Sequence, residues 1–262
     1  MATLASGSRG NAAVIGDGLT NILIDAGVSC RRICGGLALF GVEATEISAI
    51  LITHEHTDHV AGLERFAAKS GAAVYLTEGT ALALEHKGIA LNADFHIIKP
   101  EESFAVGDFG VTPIATPHDA AESVAYAFEA HARKALYATD LGVITPEVRR
   151  AALESECVFL ESNHDIYALL RGSYPEMLKQ RILSRRGHLS NDDCADLVSE
   201  AASSGTRRFT LCHLSRENNT PEMAEIASTE ALKRLGAKVG EDVHLTIAPE
   251  AEASEPYIFE LC

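Results

Sequence analysis

The chain has 262 residues, and no apolar run approaches the roughly 20 that a bilayer-spanning helix requires. Its opening residues, Met1-Ala2-Thr3-Leu4-Ala5-Ser6, place no basic stretch before an apolar one. No secretory signal is therefore expected, and the cytoplasm is the expected compartment. The six cysteines include no Cys-x-x-Cys pair, which argues against a disulfide framework. Cys157 and Cys212 lie in apolar runs and are expected to be small core residues. Basic residues are scarce, 22 Lys and Arg against 37 Asp and Glu, for a net charge of −15. That balance argues against broad, sequence-independent adhesion to nucleic acid, which rests on Lys and Arg neutralising phosphates. It leaves open a phosphate substrate at a metal site, because bound cations reverse the sign a ligand feels. Internal repeats, low-complexity tracts and Pro/Ser-rich linkers are also missing. With 47% apolar residues, positions 1–262 are expected to build a single domain around a large core.

What the chain does contain is strands mixed with helices. Ala12–Ile15 and Asn21–Asp25 flank the turn signal Gly16-Asp17-Gly18, a hairpin pattern. Ile47–Thr53 is apolar almost throughout, the pattern of a strand covered on both faces. Helices are expected at Ile33–Phe40, Val60–Lys69, Thr80–His86, Pro146–Leu153, Pro175–Ser184, Asn191–Ser203 and Pro221–Leu235, with Asn191 as an N-cap. Strand runs come first and alternation later, which reads as a layered α/β domain.

Polar residues end the apolar strands in a telling way. Asp25 follows Ile22-Leu23-Ile24, and His54 follows Ala49–Thr53. His118 follows Val111–Pro117, Asp140 follows Ala135–Thr139, and His213 follows Phe209–Cys212. Wet loops explain one or two such endings, whereas five metal-competent side chains at strand ends describe how α/β folds assemble sites. His54-Glu55-His56-Thr57-Asp58-His59 packs three imidazoles and two carboxylates into six residues. His54 and His56, two apart, face the same way in extended backbone, and the bend toward Val60 turns Asp58 and His59 elsewhere. Imidazole suits zinc, and the carboxylates widen the choice to manganese or iron.

That run is the His-x-His-x-Asp-His signature, and with Asp25, His118, Asp140 and His213 the chain resembles the metallo-β-lactamase superfamily along nearly its whole length. Further stretches are similar to the WalJ/YycJ-type subgroup, itself related to tRNase Z and to cyclic phosphodiesterases. They are Ser6-Gly7-Ser8-Arg9-Gly10-Asn11, Glu161-Ser162-Asn163-His164-Asp165, Gly187-His188-Leu189-Ser190-Asn191 and His213-Leu214-Ser215 with Asn218-Asn219. The resemblance implies an αββα sandwich of two mixed sheets flanked by helices. It also implies two divalent metal ions, zinc or manganese with iron as a further choice. His54, His56 and His118 would hold one ion; Asp58, His59 and His213 would hold the other; Asp140 would bridge them. A bridging carboxylate in place of cysteine points away from β-lactam cleavage and toward phosphodiesters.

The implied activity is phosphodiester hydrolysis by a hydroxide made available between the two metals, with 5′-to-3′ exonuclease action the leading case. His188 is expected to act as general acid or transition-state donor, Asp58 to serve the reaction as a ligand, and Asp25 to accept a hydrogen bond from a ligand imidazole and orient it. Ser8, Asn11 and Arg186 are candidate substrate contacts. His164 is expected either to touch substrate or to serve the fold. The implied partners are a phosphodiester, DNA or RNA ends among them, no membrane, and a second copy as a homodimer. The same ligand set also serves small cyclic phosphodiesters, thioesters or lactones, or a metal-holding regulator without turnover.

Overall fold

The computed structural model describes residues 1–89 and 93–258. The chain forms two compact units. The first comprises Met1–Ala115, Ala120–Val124 and the C-terminal segment from Pro249, and the second comprises Thr116–Asp119 and Ala125–Ala248.

In the first unit a six-stranded sheet runs in chain order: β1 (Ala2–Ala5), β2 (Ala12–Gly16), β3 (Asn21–Ile24), β4 (Ile47–Leu51), β5 (Ala73–Thr77) and β6 (Phe95–Ile98). β1, β2 and β3 pair antiparallel, and β3 through β6 pair parallel. The β2–β3 turn is the hairpin expected from Gly16-Asp17-Gly18. Asp17 accepts from the backbone N–H groups of Leu19 and Thr20, and Gly18 supplies a φ of 91°. The helices are α1 (Cys30–Ala38), α2 (Thr57–Val60), α3 (Leu63–Ser70) and α4 (Glu78–His86). Ile33 and Leu37 of α1 join Leu63 and Phe66 of α3 on a core that includes Leu23, Ile50 and Val74. Each such side chain, fully removed from water, contributes roughly 1.5–3 kcal/mol. An antiparallel pair, β7 (Phe104–Val106) and β8 (Phe109–Ala115), completes the unit.

One helix expected at Val60–Lys69 is broken into α2 and α3 at Gly62, whose N–H donates to the Ala26 carbonyl at 2.8 Å. A side chain there would meet the Val28 carbonyl at 2.0 Å. The loop after β3 presses on the backbone at that point, and tertiary contact overrides helical continuity.

In the second unit β9 (Val124–Ala130), β10 (Arg133–Ala138), β11 (Cys157–Glu161), β12 (Arg208–Cys212) and β13 (His244–Ile247) lie side by side in chain order. β9 and β10 are antiparallel, and β10 to β13 are parallel. Cys157 and Cys212 are buried in it, as their apolar surroundings implied. The helices are α5 (Pro146–Glu154), α6 (Ile166–Arg171), α7 (Glu176–Ile182), α8 (Asn191–Ser204) and α9 (Pro221–Leu235). α9 carries its own start and stop signals. Thr220 accepts from the Met223 N–H, Pro221 occupies the first turn, and Gly236 ends it at φ 85°.

The cap of α8 differs from expectation. Ser190, not Asn191, accepts the Asp193 N–H, at 3.1 Å. Asn191 is the first helical residue, and its amide is drawn inward to bond Ser162 and Asn219. α6, for which the sequence pattern carried no expectation, is capped by Asp165. Among the described residues no helix is long and apolar enough to cross a membrane.

Candidate metal centre

Each unit gathers its metal-competent side chains where its strands end. Three of these residues take a left-handed backbone that L-residues usually avoid: Asp25 at φ 58°, Asp140 at 58° and His213 at 55°. Such a conformation costs on the order of 1–3 kcal/mol per residue and collects at functional sites.

In the first unit, the loop after β4 and the short helix α2 hold His54, His56, Asp58 and His59, with His56 just before the first residue of α2. The His54 ring centroid lies 4.5 Å from that of His56 and 4.1 Å from that of His59. The His59 Nε2 is 3.6 Å from the Asp58 carboxylate. Asp25 is fully buried behind this cluster. It accepts from His59 Nδ1 at 2.7 Å, from the Thr53 N–H at 2.9 Å and from the Thr53 hydroxyl at 2.9 and 3.0 Å. Thr53 Oγ1 also meets His54 Nδ1 at 3.0 Å. One carboxylate therefore sets the tautomer of His59 directly and that of His54 through Thr53, leaving Nε2 of each as the lone-pair nitrogen. Burial pushes the Asp25 carboxyl above the usual range, while His59 and the Thr53 hydrogen bonds pull it back.

Gly27 makes this arrangement possible. A Cβ there would fall 1.6 Å from the Asp58 carbonyl oxygen and 2.7 Å from the Asn11 backbone nitrogen. Three loops thus meet backbone to backbone: Asn11 N–H donates to Asp58, Gly27 N–H to Asn11, and Ala26 N–H to His59. Asn11 is buried, and its amide touches His59 Nε2 at 3.1 Å while bonding Gly7 in both directions. Ser8 is exposed on the same loop.

In the second unit, Asp140, Glu161, His188 and His213 form one cluster of potential ligand atoms within 4.8 Å of one another. Asp140 Oδ1 lies 3.4 Å from His213 Nδ1, 3.6 Å from His188 Nδ1 and 3.7 Å from His118 Nε2. His118 donates through Nδ1 to the Gly187 carbonyl at 3.0 Å, which again leaves Nε2 as the lone-pair nitrogen.

Glu161 is the residue the sequence reading passed over. It is fully buried and accepts four hydrogen bonds: His188 Nδ1 at 2.8 Å, His213 Nδ1 at 2.9 Å, Leu141 N–H at 2.9 Å and Leu189 N–H at 3.2 Å. Burial opposes its charge, yet the His188 cation and the bonds from His188 and His213 hold its carboxyl at about 2. Burial lowers His188, but the Glu161 carboxylate and its hydrogen bond outweigh this and raise it above the usual imidazole range. The signal was available, since Glu161 ends the apolar run Cys157-Val158-Phe159-Leu160 just as the other acidic and imidazole residues end theirs.

The remaining candidates in this unit separate by environment. Arg186 is exposed and its Nε donates to the His118 carbonyl at 2.9 Å. His164 is buried, and neither ring nitrogen has a hydrogen-bond partner. Burial lowers its pKa to about 4, so it is neutral near pH 7.

The donor set suits a divalent cation. Imidazole nitrogens, their tautomers fixed from behind, are combined with carboxylates, the mixture that zinc and manganese sites use.

Comparison with known proteins agrees with this. The β-lactamase superfamily domain matches residues 20–214. The chain is 35% identical to exodeoxyribonuclease YycJ of Bacillus anthracis over 247 residues, 93% of each chain. It is 34% identical to exodeoxyribonuclease WalJ of Streptococcus pneumoniae serotype 2 over 242 residues, 91% of this chain and 90% of that one. The metallo-β-lactamase fold protein YhfI of Bacillus subtilis superposes with a TM-score of 0.70 at 16% identity, over 97% of this chain and 98% of that one, a likeness of fold. Two mixed sheets flanked by helices, and divalent-metal binding with them, are the properties of that fold. The chain belongs to the metallo-β-lactamase superfamily, in its WalJ/YycJ-type subgroup.

Proposed function

We propose that this protein hydrolyses phosphodiester bonds in DNA, removing nucleotides from a 5′ end, at a centre that takes two divalent ions. In this reading His54, His56 and His118 hold one ion, Asp58, His59 and His213 hold the other, and Asp140 serves both. Zinc and manganese suit these donors, with iron a further choice. Bound ions of this kind supply an activated water and neutralise charge on a phosphoryl group. Likeness to relatives named exodeoxyribonucleases supports DNA as the substrate class.

The observation that carries the chemistry is the Glu161–His188 pair. A buried carboxylate holds the imidazole by Nδ1 at 2.8 Å and favours its protonated form, in which Nε2–H is a donor. A cationic donor beside Asp140 is what a departing alkoxide or a phosphoryl oxygen needs. Asp25 and Glu161 do not touch the substrate in this reading. They fix the imidazoles that do the holding.

The test is the purified protein loaded with manganese or zinc, assayed on bis-p-nitrophenyl phosphate, 5′-end-labelled DNA, RNA, a lactone and a β-lactam. Phosphodiester cleavage with release from the 5′ end is expected. Turnover of another substrate without any phosphodiester cleavage would sink the proposal. His188→Ala should keep its metal content while losing roughly 10²–10⁴ in turnover. Loss of metal instead would move His188 into the ligand set.

A further inference from the structure

The segment between Asp165 and His188 is opposite in charge to the chain as a whole. Residues 166–187 carry five basic side chains, Arg171, Lys179, Arg181, Arg185 and Arg186, against one acidic side chain, Glu176, in a chain of net charge −15. Two of the five serve the fold. Lys179 is buried and donates to the Leu170 carbonyl at 2.7 Å, tying α7 to the last turn of α6. Arg181 pairs with Asp119. Arg171 and Arg185 are exposed and make no hydrogen bond or ion pair among the described residues.

The same segment exposes large apolar side chains: Tyr167 at 70%, Leu170 at 49% and Met177 at 85%. Tyr167, Leu170 and Arg171 sit at i, i+3 and i+4, so they share one face of α6. An aromatic side chain and a cation side by side on an exposed face are the two elements that hold a single strand, one stacking a base and the other meeting a phosphate.

The segment is also anchored to the catalytic residues of its own unit. His188 N–H donates to the Ile182 carbonyl at 3.0 Å, Arg186 donates to the His118 carbonyl, and His118 donates to the Gly187 carbonyl. A strand lying on α6 and on the turn that bears Arg185 would therefore lead toward His188.

We propose that α6, α7 and the following turn form a guide for single-stranded DNA, with Tyr167 stacking on a base and Arg171 and Arg185 contacting phosphates. This rests on the nuclease reading above and names the surface by which its substrate is held. Charge complementarity selects the occupant: a polyanion is drawn to a positive stretch that borders His188, while the net negative charge of the chain disfavours broad adhesion and keeps binding local.

The test measures binding of a 3′-fluorescein single-stranded 20-mer with phosphorothioate linkages, which resist the proposed cleavage, to the metal-loaded protein by anisotropy, from 50 to 200 mM salt. In parallel, kcat/KM is measured on the same oligonucleotide with ordinary phosphodiester linkages and on bis-p-nitrophenyl phosphate. Arg171→Glu/Arg185→Glu should weaken binding at least tenfold and flatten the slope of log K against log salt by about 1.4, roughly 0.7 for each lost phosphate contact. Tyr167→Ala should weaken binding about fivefold or more with the salt slope unchanged. Both should lower the ratio of oligonucleotide to bis-p-nitrophenyl phosphate kcat/KM. Lys233→Glu/Arg234→Glu, the same charge change on α9, should match wild type.

Binding and salt slopes of both guide variants within twofold of wild type would overturn the guide, whether or not DNA is cleaved. Tighter binding of RNA of the same sequence, by tenfold or more, would overturn the assignment to DNA. Failure to cleave DNA with the binding differences intact would count against the nuclease reading alone.

Discussion

Replacing Glu161 by Gln separates the roles of this residue in folding and in metal binding. The side chain accepts four hydrogen bonds and an amide can accept on one side only. If the new NH₂ faces the Leu141 and Leu189 N–H groups, donors meet donors, and neither backbone group can change. Two lost bonds at a buried site would then cost about 3 kcal/mol or more. If the NH₂ faces the imidazoles, His213 can move its proton from Nδ1 to Nε2 and His188 can give up its Nδ1 proton, so that each accepts at Nδ1. The fold keeps its bonds, so this is the arrangement expected. The proton then sits on His213 Nε2, the nitrogen proposed to hold an ion. Glu161→Gln should therefore lose only about 1–2 kcal/mol of stability, from the lost charge-assisted bonds. Metal affinity should fall 10- to 100-fold, with activity falling in step. Denaturant unfolding, competition with a chromophoric zinc chelator, and bis-p-nitrophenyl phosphate turnover read the three quantities. A variant with wild-type metal affinity and activity would refute the tautomer argument, whatever its stability.

Other expectations follow from the same geometry. Gly27→Ala places a methyl against the Asp58 carbonyl and the Asn11 nitrogen, backbone atoms that cannot swing away; denaturant melts should show a loss on the order of 3 kcal/mol or more. His59→Ala and His213→Ala should each leave one ion of two, counted by elemental analysis after gel filtration. His164, at about 4 in the fold against 6.5 unfolded, binds its proton only in the unfolded chain within that window, so stability falls as pH drops from 6.5 toward 4, by about 2 kcal/mol at pH 5. Glu161, Asp193, Asp165 and His188 are the charges that face it. His164→Asn should remove that part of the acid sensitivity in urea melts at pH 7 and pH 5, and an unchanged difference between the two pH values would contradict the assignment.

The candidate ligand residues stand out in the sequence because they sit at strand ends, where the structure also gathers His, Asp and Glu side chains. A strand buried on both faces is a run of apolar residues, and the next residue meets the loop layer. An Asp or His there has no packing reason to exist. The apolar runs Phe209–Cys212 and Cys157–Leu160 mark β12 and β11 for the same reason. Helix α9 was equally plain, because Pro221 and Gly236 mark its ends by their own backbone chemistry. Where two elements press together, the sequence was less informative. The break at Gly62 depends on the Val28 carbonyl, and the cap of α8 depends on what Asn191 finds in Asn219 and Ser162. Both are partners distant in the chain, and neither leaves a periodic trace.

Glu161 illustrates a different kind of blindness. It obeys the strand-end pattern as well as Asp140 does, yet its neighbours differ. Asp140 stands in the left-handed region at φ 58°, while Glu161 is the last residue of β11 and extended. Both lie against His213 Nδ1, Asp140 at 3.4 Å and Glu161 at 2.9 Å, and Glu161 makes the hydrogen bond. From the strand, Glu161 also collects His188 Nδ1 and the backbone N–H groups of Leu141 and Leu189. The left-handed φ of Asp25, Asp140 and His213 is then the part of the site that sequence alone does not disclose. An Asp or His at the end of a strand announces a ligand or its support, but whether the backbone turns there, and so which role the residue takes, is set by the loops packed over it.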